Sequence, residues 1–296
     1  MISFFANLFG YALKFIYSLI ENYGVAIILF SILLKLLLLP LSIKQQKNIK
    51  KTEKIQNELN VIREKNKNNP EKLNQEMMAL YKRENMSPFS GCFSSIIQII
   101  LILAMFSLVR NPLTYMLKIP NEKVEVVSQY IKEEDSTKIN ATYPQVSILK
   151  YANSKEENIE IDKSGEKEEI SLNEMKINMN FLGLDLSDIP QQNYNNWKVF
   201  VIPVLYVISS IISIKMTTNN KKQKEENKEE KAEDEVDMMG QMSKSMGLTM
   251  PILAVSVSLI APLGLALYWL TNNILMIFER IAINKFLELK EEEKNA

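Results

Sequence analysis

The sequence predicts an all-α integral membrane protein with five transmembrane helices, a cytoplasmic helical hairpin and an N-terminal interfacial amphipathic helix. Three observations predict it. First, charge is segregated. The 296 residues carry 35 Lys plus Arg and 35 Asp plus Glu, a formal net charge of zero. The mean hydropathy of −0.07 is that of a soluble protein. Yet Gly24–Ile43 holds one charged residue, Lys35, and Phe89–Val109, Val199–Ile214 and Ser245–Phe278 hold none. Second, these runs have the right length, since about 20 mostly apolar residues cross about 30 Å of hydrocarbon. Third, Lys and Arg crowd into one insert. Residues 44–88 hold 11 basic residues against 6 acidic, whereas residues 112–198 hold 10 against 15. The more basic insert is predicted to be cytoplasmic.

Composition excludes several chemistries. There is no His, hence no His general base, no His metal ligand and no Ser-His-Asp triad. A single Cys excludes an internal disulfide and a Cys-rich zinc site. Zero net charge gives no global signature for nucleic acid, so no direct nucleic-acid binding is expected. Only 8 Gly are present, and neither GxGxxG nor GxxxxGK[ST] occurs. No metal, cofactor or catalytic residue is predicted.

Residues 1–21 place Phe5, Leu8, Phe9, Ala12, Ile16 and Leu19 at helical spacing, opposite Ser3, Asn7, Lys14 and Glu21. That pattern predicts a helix lying on the membrane surface, with a short first span as the alternative. Residues 22–43 form the first span, which is expected to end at Pro40 before the basic run from Lys44 to Lys54. Residues 44–88 predict a helical hairpin. One arm carries Ile49, Ile55, Leu59 and Ile62, the other Leu73, Met77, Leu80 and Tyr81, and Pro70 suits the first turn of the second arm. Residues 89–111 are the second span. Residues 112–198 form an extracytoplasmic segment, with a β-hairpin signal around Ser164-Gly165 from Ile159, Ile161, Ile170 and Leu172. Asn121 is expected to cap a short helix through Val124–Ile131. The third span is 199–215, and a polar cytoplasmic loop covers 216–244. The last apolar region divides at Pro262-Leu263-Gly264 into spans 245–261 and 262–284, with one long kinked helix as the alternative. Residues 285–296 form a cytoplasmic tail. Five spans place the N-terminus outside and the C-terminus inside.

Lys35 is the most informative residue. A mid-span ammonium costs about 2.5–3.5 kcal/mol on insertion scales, so it is expected to face the protein interior or a wet cavity. Snorkelling competes with this reading, but the cytoplasmic end lies about 12 Å of helix away, roughly twice the reach of a Lys stem. The charge-free runs hold no acidic residue, so Lys35 is expected to have no obvious buried ion-pair partner within the chain. Gln98 is the deepest polar residue of the second span. Tyr268 and Trp269 sit shortly after the Pro262 turn, where an aromatic-belt role is open. Thr271, Asn272 and Asn273 are expected to hydrogen-bond to neighbouring helices. Cys92 reads as a small packing residue.

These residues carry a family resemblance. Asn22-Tyr23-Gly24 opens the first span, and Ser31-Ile32-Leu33-Leu34-Lys35 runs on to Leu39-Pro40-Leu41. The hairpin contains Gln75-Glu76-Met77-Met78-Ala79-Leu80-Tyr81-Lys82. Pro88-Phe89-Ser90-Gly91-Cys92-Phe93 and Ile97-Gln98 mark the second span, and Pro262-Leu263-Gly264-Leu265-Ala266-Leu267-Tyr268-Trp269 the last. In this order, over residues 1–111 and 181–285, they resemble the YidC family of membrane protein insertases in its five-span, Gram-positive form. The resemblance implies a hydrophilic groove enclosed by the spans, open to the cytoplasm and to lipid. Lys35, Gln98 and Trp269 would line it, with Tyr268, Asn272 and Ser31 as groove or packing positions. The hairpin would help receive substrates. Nascent membrane proteins and the phospholipid bilayer are the implied partners, with the Sec translocon and the ribosome as further candidates. The tail, acidic at Glu291-Glu292-Glu293, does not itself predict ribosome docking.

The sequence departs from the family in three places. Lys35 stands where Arg is common, which keeps the charge and loses the planar fork. Ser94 and Ile100 stand where Pro is frequent. Residues 112–180 lie outside the resemblance. Two other classes stay open from the residues alone: a small-solute transporter or channel, and a membrane scaffold acting through residues 112–198.

Overall fold

The computed structural model describes residues 1–84, 90–155, 158–163, 166–222 and 255–295. The chain forms two compact units. One comprises Met1–Leu33 and Ala104–Ile277, the other Leu34–Leu103 and Phe278–Ala296.

The first unit opens with α1, Ile2–Ile20, closed by Glu21 in a left-handed conformation. Its faces differ from the predicted stripe. Ala6, Phe9, Gly10 and Leu13 are buried, whereas Phe4, Leu8, Tyr11, Phe15 and Leu19 are exposed at spacings of three and four. The predicted stripe merged these two apolar faces. Phe9 packs edge-on against Phe30, with ring centroids 5.4 Å apart. A single π-helical turn, Leu113–Leu117, lies against α1, and the Lys118 ammonium after it donates to Asn7 Oδ1 at 3.0 Å and sits 3.8 Å above the Tyr11 ring.

The second helix, α2, spans Tyr23–Lys65. Its start explains the Asn22-Tyr23-Gly24 motif. Asn22 Oδ1 accepts from the Val25 amide at 3.1 Å, satisfying a donor the helix start leaves free. Its Nδ2 donates to the Asn180 carbonyl at 2.8 Å. At Gly24 the Phe181 ring comes so close that a Cβ would lie 2.5 Å from it. Pro40, where the first span is expected to end, does not interrupt the helix: α2 continues through it. Proline removes one backbone donor, but Leu, Ile, Lys and Gln on both sides favour helix strongly enough to carry it on.

The segment after α4 (Ser90–Arg110) folds into a small α+β cap. Helices α5 (Asn121–Glu134) and α6 (Pro144–Ser154) pack through Val124, Val127, Ile131, Ile148, Leu149 and Ala152, all buried. Asn121 does not cap α5. The N-cap is Pro120, and the Asn121 side chain instead accepts from the Thr114 hydroxyl at 2.9 Å. Strands β1 (Ile159–Lys163) and β2 (Glu166–Ile170) pair antiparallel with Ile159 opposite Ile170, while the Ser164-Gly165 turn lies outside the described residues. A second pair, β3 (Asn180–Phe181) and β4 (Leu184–Asp185), follows.

Glu134 joins the cap helices. It accepts from the Tyr151 hydroxyl and pairs with Lys138 at 3.0 Å. These bonds, Tyr151 first, hold its carboxyl below the usual range. A depressed native pKa gives stability that is present above the ordinary carboxylate range and lost as pH falls through the native value. Cap unfolding is therefore expected to become easier in acid. Amide exchange along α6 across that range checks it: wild type should lose protection on acidification, and Glu134→Gln should show a flatter profile.

A short 3₁₀ turn, Trp197–Phe200, leads into α7, Val201–Lys222. Residues 223–254, and with them most of the predicted span 245–261, lie outside the described residues. Residues 255–260 are helical, the chain leaves helical geometry at Ala261-Pro262, and α8 runs over Leu263–Asn295. Its first amides are satisfied by the cap: Leu263 donates to the Asp188 carbonyl at 2.9 Å, and Gly264 to that of Leu186 at 2.8 Å. Among the described residues, Ile2–Ile20, Tyr23–Thr52 and Trp197–Met216 are long and apolar enough to cross a membrane, and Ile99–Arg110 is a shorter apolar helix.

In the second unit, α2 continues to Lys65 and α3 (Pro70–Arg83) folds back along it. Asn69 caps α3 by accepting from the Lys72 amide at 3.1 Å, with Pro70 in the first turn. Ile55, Leu59 and Leu80 form the core, flanked by Ile62, Met77 and Tyr81. Leu73 is half-buried. Ile49, expected in this stripe, is exposed instead.

Candidate functional site

Lys35 lies on α2 in the second unit, where its Nζ donates to Glu279 Oε2 of α8 at 2.9 Å. The side chains are 19% and 13% exposed, so most of the ion pair is withdrawn from water. This overturns the expectation that Lys35 lacks a partner within the chain. The charge-free run ends at Phe278, one residue short of Glu279, although the predicted span 262–284 already contains that glutamate. The helix does not stop there; α8 continues through Glu279 and Arg280 to Asn295. The missed signal was the acidic residue inside that predicted span, just past the end of the charge-free run.

The pair is partly satisfied. Glu279 Oε1 is buried and, among the described residues, has no hydrogen-bond partner. An unsatisfied buried acceptor costs about 1–3 kcal/mol, and more when charged. Further along the same two helices, Gln46 Nε2 donates to Asn284 Oδ1 at 2.9 Å. That contact joins α2 to α8 without using either charge.

The other predicted residues have distinct surroundings. Gln98 lies on α4, and its side chain is outside the described residues. Ser31, in the first unit, is buried, and its hydroxyl is used within α2, donating to the Ile27 carbonyl at 2.7 Å. Tyr268 is buried in the same unit, and Trp269 is half-buried beside Tyr206 of α7, with ring centroids 5.7 Å apart. Asn272 is half-buried on α8. Its neighbour Asn273 makes the interhelical bond, donating to Ser210 Oγ of α7 at 2.7 Å. Leu80 lies in the hairpin core with Met77 and Tyr81 against it, a packing role. Chemically, among the described residues, the Lys35–Glu279 site offers an ammonium that uses one of its three donors and a carboxylate oxygen with unused lone pairs. It can hold a polar or charged segment within apolar helices; it cannot by itself break a bond.

Over 285 residues the chain is 25% identical to a protein of Treponema denticola named membrane protein insertase YidC, covering 94% of this chain and 37% of that one. Proteins of the same name from Syntrophus aciditrophicus and Clostridium tetani are 47% identical over 88 residues and 41% identical over 102. These matches cover 30% and 33% of this chain, and 16% and 46% of the relatives. The chain thus spans well under two thirds of the length of these relatives. The 60Kd inner membrane protein family matches residues 15–292. With that match and its apolar helices, this all-α integral membrane protein belongs to the 60Kd inner membrane protein family.

Proposed function

We propose that the chain is a membrane protein insertase that receives polar segments of nascent membrane proteins at Lys35. The observation that carries this reading is an ammonium withdrawn from water on an apolar helix, in a chain whose relatives are named as insertases. Such a cation lowers the cost of drawing a hydrophilic tail partway across hydrocarbon, while the apolar part of the substrate moves into the bilayer. The work is physical, with no bond made or broken and no cofactor required. On the family resemblance, Gln98 belongs to the same groove, the hairpin over residues 44–88 receives substrates on the cytoplasmic side, and five spans leave the N-terminus outside and the C-terminus inside. The host membrane is the bacterial plasma membrane. The Sec translocon and the ribosome are candidate partners.

Reconstitution of the full chain tests this. Proteoliposomes holding it should protect a newly made single-span reporter from protease, and empty liposomes should not. A photo-crosslinker at position 98 should label the reporter, and one at Tyr194 in the cap should not. Equal protection in empty liposomes sinks the proposal.

A further inference from the structure

We infer that Glu279 is a displaceable counter-ion that sets the charge selectivity of the Lys35 site. This deepens the insertase reading and rests on it. The geometry is that of a contact made to be exchanged. One carboxylate oxygen meets the ammonium at 2.9 Å, and the second is buried without a partner among the described residues. A buried ion pair that serves stability closes its remaining lone pairs and protons with further hydrogen bonds. This one leaves capacity on both groups. Nor is the pair the sole polar link of its helices, because Gln46 and Asn284 already join α2 to α8.

At rest the site is therefore close to neutral, although it holds a cation. An incoming acidic tail competes with Glu279 for Lys35, and must displace a carboxylate to reach it. An incoming basic tail meets a carboxylate with a free oxygen. A neutral polar segment can add its amide N–H to Glu279 Oε1 and its carbonyl to the remaining Lys35 donors, leaving the pair intact. The carboxylate thus broadens the range of tails accepted, where an unopposed ammonium would favour acidic ones.

The test uses the full chain in proteoliposomes and two single-span reporters that differ only in the translocated tail, one acidic and one basic. The readout is the ratio of acidic-tail to basic-tail insertion. Glu279→Gln keeps the shape and a hydrogen bond to Lys35 but removes the opposing charge. It should raise the ratio about tenfold, the scale of one unit charge acting over a few ångströms in a partly wet site. A ratio within twofold of wild type overturns the inference. The exchanged variant Lys35→Glu/Glu279→Lys gives an independent reading if Glu279→Gln does not accumulate. If the two charges act together, the swap keeps the wild-type ratio; if Lys35 alone sets selectivity, the swap inverts it and the inference fails. Failure of wild type to insert either reporter would instead count against the insertase reading itself.

Discussion

Lys35→Ala is expected to abolish complementation of a strain depleted of its own insertase, while Lys35→Arg supports growth. The argument has two parts, because Lys35 has two relations. Toward substrate it supplies the positive charge, and alanine removes that altogether. Toward the protein it neutralises Glu279, and removing one partner of a mostly buried pair destabilises by about 3–5 kcal/mol, because the remaining charge stays uncompensated. Loss of growth alone would not separate the two. The double variant Lys35→Ala/Glu279→Ala does, since removing both charges relieves the uncompensated carboxylate. Thermal unfolding in detergent should therefore fall for the single variant and recover in the double, while insertion fails in both. Restored insertion in the double variant would make Lys35 a structural partner only. Arginine keeps the charge and reaches Glu279 with a planar fork, and can engage both carboxylate oxygens, including the one left unpaired here. It is thus expected to be at least as stable as wild type.

Lys35 was legible from sequence because a charge amid leucines has a cost that any reader can assign. Glu279 was not, although it falls inside the predicted span 262–284, because hydropathy marks only the charge-free stretch, which ends at Phe278. The same limit applies at Pro40: the membrane-facing pattern ends near it, yet the backbone continues as α2 for another 25 residues to Lys65. The hairpin core was legible because Leu59 and Leu80 recur at helical spacing amid polar residues. Ile49 lies six residues before Ile55, off the three- and four-residue spacing of Ile55, Leu59 and Ile62, and it is exposed. Helix α6 was unread. It is short, and Gln145, Val146, Ile148, Leu149, Tyr151 and Ala152 are all buried, which leaves little polar contrast to mark a face. Gln145 tolerates burial because its amide accepts from the Thr114 amide and donates to the Thr114 hydroxyl. Such a partnership, 31 residues away, has no local signature.

Gly10→Ala is expected to destabilise the first unit, although alanine is the better helix former. Inside a helix the exchange should favour folding by about 0.8–1.0 kcal/mol through propensity alone. Here the contact decides against it. A Cβ at Gly10 would lie 1.9 Å from the Tyr115 carbonyl oxygen and 2.6 Å from its carbon. The obstacle is backbone, not a side chain that could rotate away. That backbone is held in the π-helical turn by fully buried Leu113 and Met116, and by Lys118 bonded to Asn7. Relief therefore requires α1 to lift from the turn, loosening Phe9 and Leu13, which are buried on the same face. Overpacking of this kind costs about 1–3 kcal/mol, enough to cancel or exceed the propensity gain, and Gly10→Val should cost more. Unfolding temperatures of the purified chain in detergent check the order wild type, Ala, Val. Leu8→Ala, on the exposed face of the same helix, should lie near wild type. A higher unfolding temperature for Gly10→Ala would mean that α1 does not rest on the Tyr115 backbone, and that its second apolar face has another partner.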